Sequence, residues 1–335
     1  VDEPDIVDAL DRRILHALEV DGRAPFSRIA QVLGVSDQTI ARRYRRLRAE
    51  CGLRVVLQRD PLVLGHDLWM LRLRCTPEGA AAIATALARR PDTAWVALAS
   101  GGTEVVCMAS APRRGDRELL LGKLPRTPSI VEIRAQQVLH RFHGGPSGWP
   151  QRPDGLTHEQ ALAIRSPLLP DLDAALPSGA VQLTAEDQSV VTALEADGRA
   201  TTPELARATG LSESVIKRRL AALFGSGAVY TDADFAPELF GGRVSALLWI
   251  TAAPPVLARV GAQLSIHPEV VFAAATGGPS NLVAGVVVTD VAALYTYLSG
   301  PLGSLDGVVH IDATLFLSRV KQLTYQPLRR AAAPA

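Results

Sequence analysis

Aromatic side chains are scarce, 5% of the 335 residues, which disfavours a surface that binds single-stranded nucleic acid by stacking bases on rings. Cysteine is nearly absent. Cys51, Cys75 and Cys107 form no C-x-x-C pair, so neither a disulfide framework nor a thiolate metal site is indicated, and reduced thiols suit a cytoplasmic location. The acidic start V-D-E-P-D-I-V-D lacks the apolar stretch of a secretory signal. No apolar run approaches the ~20 residues of a membrane span. The nearest candidates, Val244–Ile250 and Leu282–Val288, have the length of buried strands. Neither sign of charge dominates: 35 Lys+Arg against 34 Asp+Glu leave a net charge of +1. That excludes binding of polyanions by bulk charge, though not by a local patch. Patterns for a nucleophile elbow, a zinc protease, a dinucleotide fold or a phosphate loop are missing. His140 and His143 have no further ligand pair, so no metal site, cofactor or catalytic residue is expected.

What is present is the composition of a folded protein, 47% hydrophobic and 21% charged, and a repeat. The tetrapeptide D-G-R-A at Asp21–Ala24 returns at Asp197–Ala200. The same offset lays Asp11 on Asp187, Gly34 on Gly210, Ser36 on Ser212, and Arg42-Arg43 on Arg218-Arg219. It also lays Gly65 on Gly241 and Gly101-Gly102 on Gly277-Gly278, and with a small shift Ile130–Phe142 matches Val308–Val320. The chain reads as two divergent copies of one unit. Between them, residues 143–182 carry six prolines and five glycines, the signature of a linker, with one short helix capped by Thr157.

Each copy begins with three short helices. Asp8 caps the first, with Leu10, Ile14, Leu15 and Leu18 on one face. The second runs from about Pro25 to Leu33 and stops at Gly34, and Ser36 restarts the third, with Ile40, Tyr44 and Leu47 facing inward. Gly210, Ser212, Ile216, Leu220 and Leu223 repeat this plan. Helix, glycine turn, capped helix is the requirement of a helix-turn-helix. The polar face of the third helix carries Gln38, Thr39, Arg42, Arg43, Arg45 and Arg46; in the second copy Ser214, Lys217, Arg218 and Arg219 stand there. Early positions suit base edges and later arginines suit phosphates, so Arg46→Ala is expected to weaken all sequences alike. An Arg-rich face is also what a merely solvated helix shows, and the second copy, with Ala221 and Ala222 replacing two arginines, has the weaker signal. The rest of each copy reads β-α-β-β-α-β, including a helix near Glu118–Lys123 in the first. That order is ferredoxin-like, an antiparallel sheet with helices on one face, and face-to-face pairing of two copies is expected to cover the other.

These landmarks resemble the Lrp/AsnC family of bacterial transcription regulators. They are D-x-x-I-L-x-A-L-E-x-D-G-R (Asp11–Arg23), I-A-x-x-L-G-V-S-x-x-T-I-x-R-R (Ile29–Arg43), its partner Leu205–Arg219, T-G-G-P-S-N-L (Thr276–Leu282) and L-D-G-V-V-H-I (Leu305–Ile311). The resemblance implies an α+β chain with two copies of a winged-type helix-turn-helix followed by a ferredoxin-like βαββαβ effector and oligomerisation domain. The domains are then residues 1–60 and 61–142, a linker 143–182, 183–236 and 237–325, and a tail 326–335. It implies a transcription regulator that binds double-stranded DNA, responds to an amino-acid-like small-molecule effector and forms a homodimer or higher oligomer. The DNA-binding residues are then Ser36, Gln38, Thr39, Arg42, Arg43, Arg45, Arg46, Ser212, Ser214, Lys217, Arg218 and Arg219. The effector loops are Ser100-Gly101-Gly102-Thr103-Glu104 and Thr276-Gly277-Gly278-Pro279-Ser280-Asn281, where the glycines serve a ligand carboxylate or simply a tight turn. Glu104 and Asn281 stand where many members carry Asp. Two-copy relatives include siroheme decarboxylases with an H-N-Y-x-R motif; here His66–Arg72 reads H-D-L-W-M-L-R, and a non-enzyme is expected. A sensor or partner module without DNA binding is the other alternative.

Overall fold

The computed structural model describes residues 7–113, 122–152, 154–171 and 179–324. The chain opens with α1 (Ala9–Val20), α2 (Phe26–Leu33) and α3 (Asp37–Glu50), followed by β1 (Arg54–Arg59). Next come β2 (His66–Cys75), α4 (Ala80–Ala88), β3 (Thr93–Ala99), β4 (Glu104–Pro112) and β5 (Ile130–His143). The helix expected near Glu118–Lys123 falls largely outside the described residues. After α5 (His158–Ile164), the three-helix plan returns as α6 (Ala185–Ala196), α7 (Thr202–Thr209) and α8 (Glu213–Gly225), then β6 (Val229–Asp234). The C-terminal part holds β7 (Val244–Ala252), α9 (Leu257–Leu264), β8 (Val270–Thr276), β9 (Leu282–Val288), α10 (Val291–Tyr297) and β10 (Val308–Lys321). Among the described residues no helix is long and apolar enough to cross a membrane.

The caps act where the sequence placed them. Asp8 accepts from the Asp11 N–H and Ser36 from the Thr39 N–H, satisfying donors that a helix start leaves orphaned. Gly34 (φ +69°) and Gly210 (φ +74°) adopt the left-handed turn between the second and third helices of each head, where a Cβ would be strained. Leu15, Leu18, Ile29, Ile40 and Leu47 fill the core of the first head, and Val190, Leu194, Leu205, Ile216 and Leu223 that of the second.

The chain divides into two compact units, residues up to 67 with 137–315, and 68–136 with the segment from 316 onward. In the first, both heads are joined by β1 and β6, which pair antiparallel from Arg54↔Asp234 to Arg59↔Val229. The pairing exchanges core residues: Ala233 and Phe235 enter the first head's core, and Leu57 of β1 enters the second's. The same unit holds a sheet in the order β5-β8-β9-β7-β10, with α9 and α10 supplying Val260, Leu264 and Leu294 to its core. The other unit holds β10-β3-β4-β2-β5, packed on Ile83 and Leu87 of α4.

The long strands β5 and β10, 14 residues each, serve both sheets. Val138–His143 of β5 pair with β8, and Phe316–Lys321 of β10 pair with β3. Lys321 anchors that end by donating from Nζ to the carbonyls of Arg90 and Thr93 at 2.7 and 2.6 Å. Strand edges are thereby covered, as unpaired edges must be.

The stretch 143–182, expected as a linker, is in part packed. Trp149, Leu156, Ala161 and Ile164 are buried in the first head's core, Arg152 pairs with Glu19 at 2.6 Å, and the Ser166 N–H donates to Asp21. Proline and glycine density signals irregular backbone, and irregular backbone can still bury its apolar side chains.

Candidate nucleic-acid interface and effector loops

The third helix of each head divides its polar residues by function. On α3, Ile40, Tyr44 and Leu47 are buried, which leaves Gln38, Arg42, Arg45 and Arg48 exposed on the outer face. Arg43 and Arg46 turn back instead. Arg43 donates to Asp11 at 3.0 Å and to Asp8, and Arg46 donates to Asp11, whose carboxylate is fully buried. On α8, Lys217 and Arg218 are exposed, while Arg219 reaches Glu186 and, at 3.5 Å, Asp187. The sequence offset that superposes Arg43 on Arg219 also superposes Asp11 on Asp187, so the same ion pair holds the third helix to the first in both heads. Burial would raise the Asp8 carboxyl, but hydrogen bonds from Arg43 and the Asp11 N–H outweigh it and hold it at about 2. Ser36 and Ser212 cap α3 and α8 through their hydroxyls, and Thr39 and Ser214 hydrogen-bond to those caps at 2.9 and 3.0 Å.

The D-G-R-A repeat is also the clasp between the heads. Arg23 donates to the carbonyls of Gly198 and Ala200 at 2.7 and 3.0 Å, and Arg199 donates reciprocally to those of Gly22 and Ala24. Arg199 also lies over the Phe26 ring, 4.4 Å from its centroid. A Cβ at Gly198 would sit 2.7 Å from the Val55 carbonyl oxygen, so the loop approaches β1 too closely for any side chain. Sequence reasoning used this tetrapeptide only as evidence of duplication. Its recurrence with a buried-type arginine was the available signal for an internal two-fold contact.

The two loops expected to receive an effector are closed by different bonds. In the first, Ser100, Gly101 and Gly102 all take left-handed φ values (+51°, +68° and +88°). Glu104 accepts from the Ser100 hydroxyl at 2.7 Å and from Arg72 at 3.1 Å, and the Thr103 hydroxyl donates to the Ser100 carbonyl. In the second, the Asn281 carboxamide accepts from the Ala252 N–H at 2.9 Å and donates to the Ala252 carbonyl at 2.8 Å. Thr276 donates to the Ser280 carbonyl, the Gly277 N–H donates to Gln137, and Thr251 donates to the Pro279 carbonyl. Gly278, like Gly102, has a positive φ, +118°. A carboxylate at 281 could not make both Ala252 bonds, because it has no donor. Among the described residues no group of three or more His, Cys, Asp or Glu is placed to hold a metal ion.

Comparison with known proteins matches both heads and the region of the second loop. The AsnC-type helix-turn-helix domain matches residues 7–48 and again 183–223, and the Lrp/AsnC ligand binding domain matches 245–325. The leucine response regulatory protein LrpA of Mycobacterium tuberculosis is 32% identical over 93% of its own chain and 41% of this one, with a TM-score of 0.37. The chain belongs to the Lrp/AsnC family of transcription regulators. An HTH-type transcriptional regulator, FL11 of Pyrococcus horikoshii, is 27% identical over 99% of its length and 44% of this chain. The siroheme decarboxylase NirDL matches 95% of this chain and 94% of its own at a TM-score of 0.61 but with 13% identity. That likeness is one of fold alone. This Lrp/AsnC chain therefore carries two helix-turn-helix domains and a ligand-binding domain within a mixed α+β architecture.

Proposed function

We propose that this Lrp/AsnC chain is a cytoplasmic, sequence-specific regulator in tandem form. Each copy has a winged-type helix-turn-helix and a ferredoxin-like effector domain, on the boundaries given above. Double-stranded DNA is its partner, read by the exposed residues of α3 and α8. The observation that carries this reading is the pair of capped third helices, both solvent-facing and both held by an Arg–Asp bond to the first helix of their own head. Gln38 and Arg42 are the readers on α3, with Arg45 beside them on the phosphates, and Ser214, Lys217 and Arg218 are the readers on α8. Arg43, Arg46 and Arg219 hold the helices in position, and Ser36, Thr39 and Ser212 shape their starts. A gel shift of the full chain on its own promoter tests the reading. Arg42→Ala should cost about 1–3 kcal/mol and relax specificity. Unchanged binding would overturn it.

The effector is a small carboxylate-bearing molecule of the amino-acid type, received at Ser100–Glu104 and Thr276–Asn281. The left-handed run Ser100-Gly101-Gly102 supports this, since a non-glycine residue at positive φ costs about 1–2 kcal/mol and side-chain bonds hold it there. Because Glu104 and Asn281 are bonded within the protein, recognition falls to backbone N–H groups of these loops other than those of Thr276 and Gly277, which donate within the protein. A thermal-shift screen with amino acids and amine-free carboxylates tests this; no shift with any would overturn it. Higher assembly is supported by Val131 and Leu139 on β5 and Val309 and Leu317 on β10, all more than half exposed. A monomeric mass at micromolar concentration would count against it. The fold shared with a decarboxylase prompts one check. Arg72, the arginine of the H-D-L-W-M-L-R segment, donates to Glu104, and no product is expected on incubation with a tetrapyrrole.

A further inference from the structure

We propose that the two heads of one chain read unlike half-sites in a fixed order, so that the operator is directional rather than palindromic. The inference rests on the DNA reading above and goes beyond it. A homodimeric head pair presents the same side chains twice and therefore selects a two-fold symmetric site. Here the pair is built from a single chain. The β1–β6 ladder, the exchanged core residues and the reciprocal Arg23 and Arg199 clasp join α3 and α8 within one compact unit.

The exposed faces of the two helices agree at one position and differ at the others. Arg42 and Arg218 correspond, and a guanidinium there suits the paired acceptors of a guanine edge, giving both half-sites one shared element. Gln38 corresponds to Ser214. A carboxamide suits the donor–acceptor pair of adenine, whereas a hydroxyl is shorter and accepts either partner, so the half-sites diverge beside that shared element. Ala41 corresponds to Lys217, which adds a point charge to α8 alone. Arg45 and Arg48, exposed on α3, correspond to Ala221 and to Phe224, which is buried. The α3 half-site therefore carries more of the phosphate contact, and more of the salt dependence.

Selection of duplexes from a random pool with the full chain tests this. The selected site is then compared with two symmetrised duplexes, each carrying one half twice in inverted orientation. The selected site should bind at least about tenfold tighter than either. Arg42→Ala should relax base preference in one half only, and Arg218→Ala in the other only. Neither arginine makes an ion pair among the described residues, so both variants should keep the parent melting temperature. Combining Ser214→Gln with Ala221→Arg should move preference toward the duplex that carries the α3 half twice. Enrichment of two identical inverted half-sites within the footprint of one head pair, equal binding of the symmetrised duplexes, or an Arg218→Ala variant with unchanged base preference would overturn the inference and leave the DNA reading standing. Enrichment of no duplex at all would overturn both.

Discussion

The two heads share a backbone plan, a serine cap, a glycine turn and an Arg–Asp bond, yet they are buttressed unequally: Leu169 of the stretch after β5 packs against the second head's core only partly buried. The first head takes Trp149, Leu156 and Ile164 from the stretch after β5 into its core, and its Glu19 is held by Arg152 of the same stretch. In the second head the equivalent Glu195 is held by Arg59 of β1. Its third helix also has fewer cations. What differs between near-copies is thus not the reading scaffold but its support and its charge, the two properties that distinguish an anchor from an auxiliary contact.

The strongest way to break the contrast is to remove the buttress. Trp149→Ala should cost about 3–5 kcal/mol in denaturant unfolding, with hydrogen exchange accelerating in α1 and α2 before α6 and α7. Acid should act through His16 of α1 and through His143 at the end of β5. Burial lowers the His16 pKa, with Glu19 opposing and Arg152 assisting, and burial alone pushes His143 down to about 4. Both are neutral in the folded chain. Their stabilisation is complete above the unfolded value near 6.5 and is lost as pH falls toward their folded values, by up to about 3 kcal/mol for His143. The second head, residues 183–236, contains no histidine. Amide exchange at pH 7.5 and 5.5 should therefore show α1 weakening relative to α6, and His16→Gln should lessen that difference.

A smaller asymmetry lies in the shared ion pair. Arg43→Ala, by removing one partner of the fully buried Asp11 carboxylate, should cost about 1–3 kcal/mol. Arg219→Ala should lower the melting temperature less, because Asp187 lies 3.5 Å from Arg219 and is less completely buried than Asp11. The smallest effect sharpens the charge contrast. Arg45→Ala should flatten the dependence of log K on log salt by about one unit without altering base preference, and Ala221→Arg should steepen it by a similar amount.

Local features of the fold were legible in the sequence because they depend on neighbours along the chain. Asp8, Ser36, Thr157 and Ser212 cap the helices they were expected to cap, and the length of apolar runs located β7 and β9. What escaped was contact between distant segments. Arg42 and Arg43 are adjacent and chemically identical, yet a rotation of roughly 100° between successive helix residues sends one to solvent and the other to Asp11. Only the paired recurrence of Asp11 with Arg43 and of Asp187 with Arg219 hinted at it. The exchange of β1 and β6 left no local period, and the packing of Trp149 was masked by the prolines and glycines around it. In the effector loops the glycine turns were legible, whereas the Asn281 bonds to Ala252 depend on a strand 29 residues away.

The clasp between the heads carries a consequence for the cell. Readers that pair by association lose partners on dilution, and the number of active pairs falls with the square of concentration when scarce. Here the second head is tethered to the first, and the ladder and arginine contacts form at an effective concentration set by the chain itself. Each molecule made is a complete head pair, so occupancy of a site should rise in direct proportion to copy number even at a few molecules per cell.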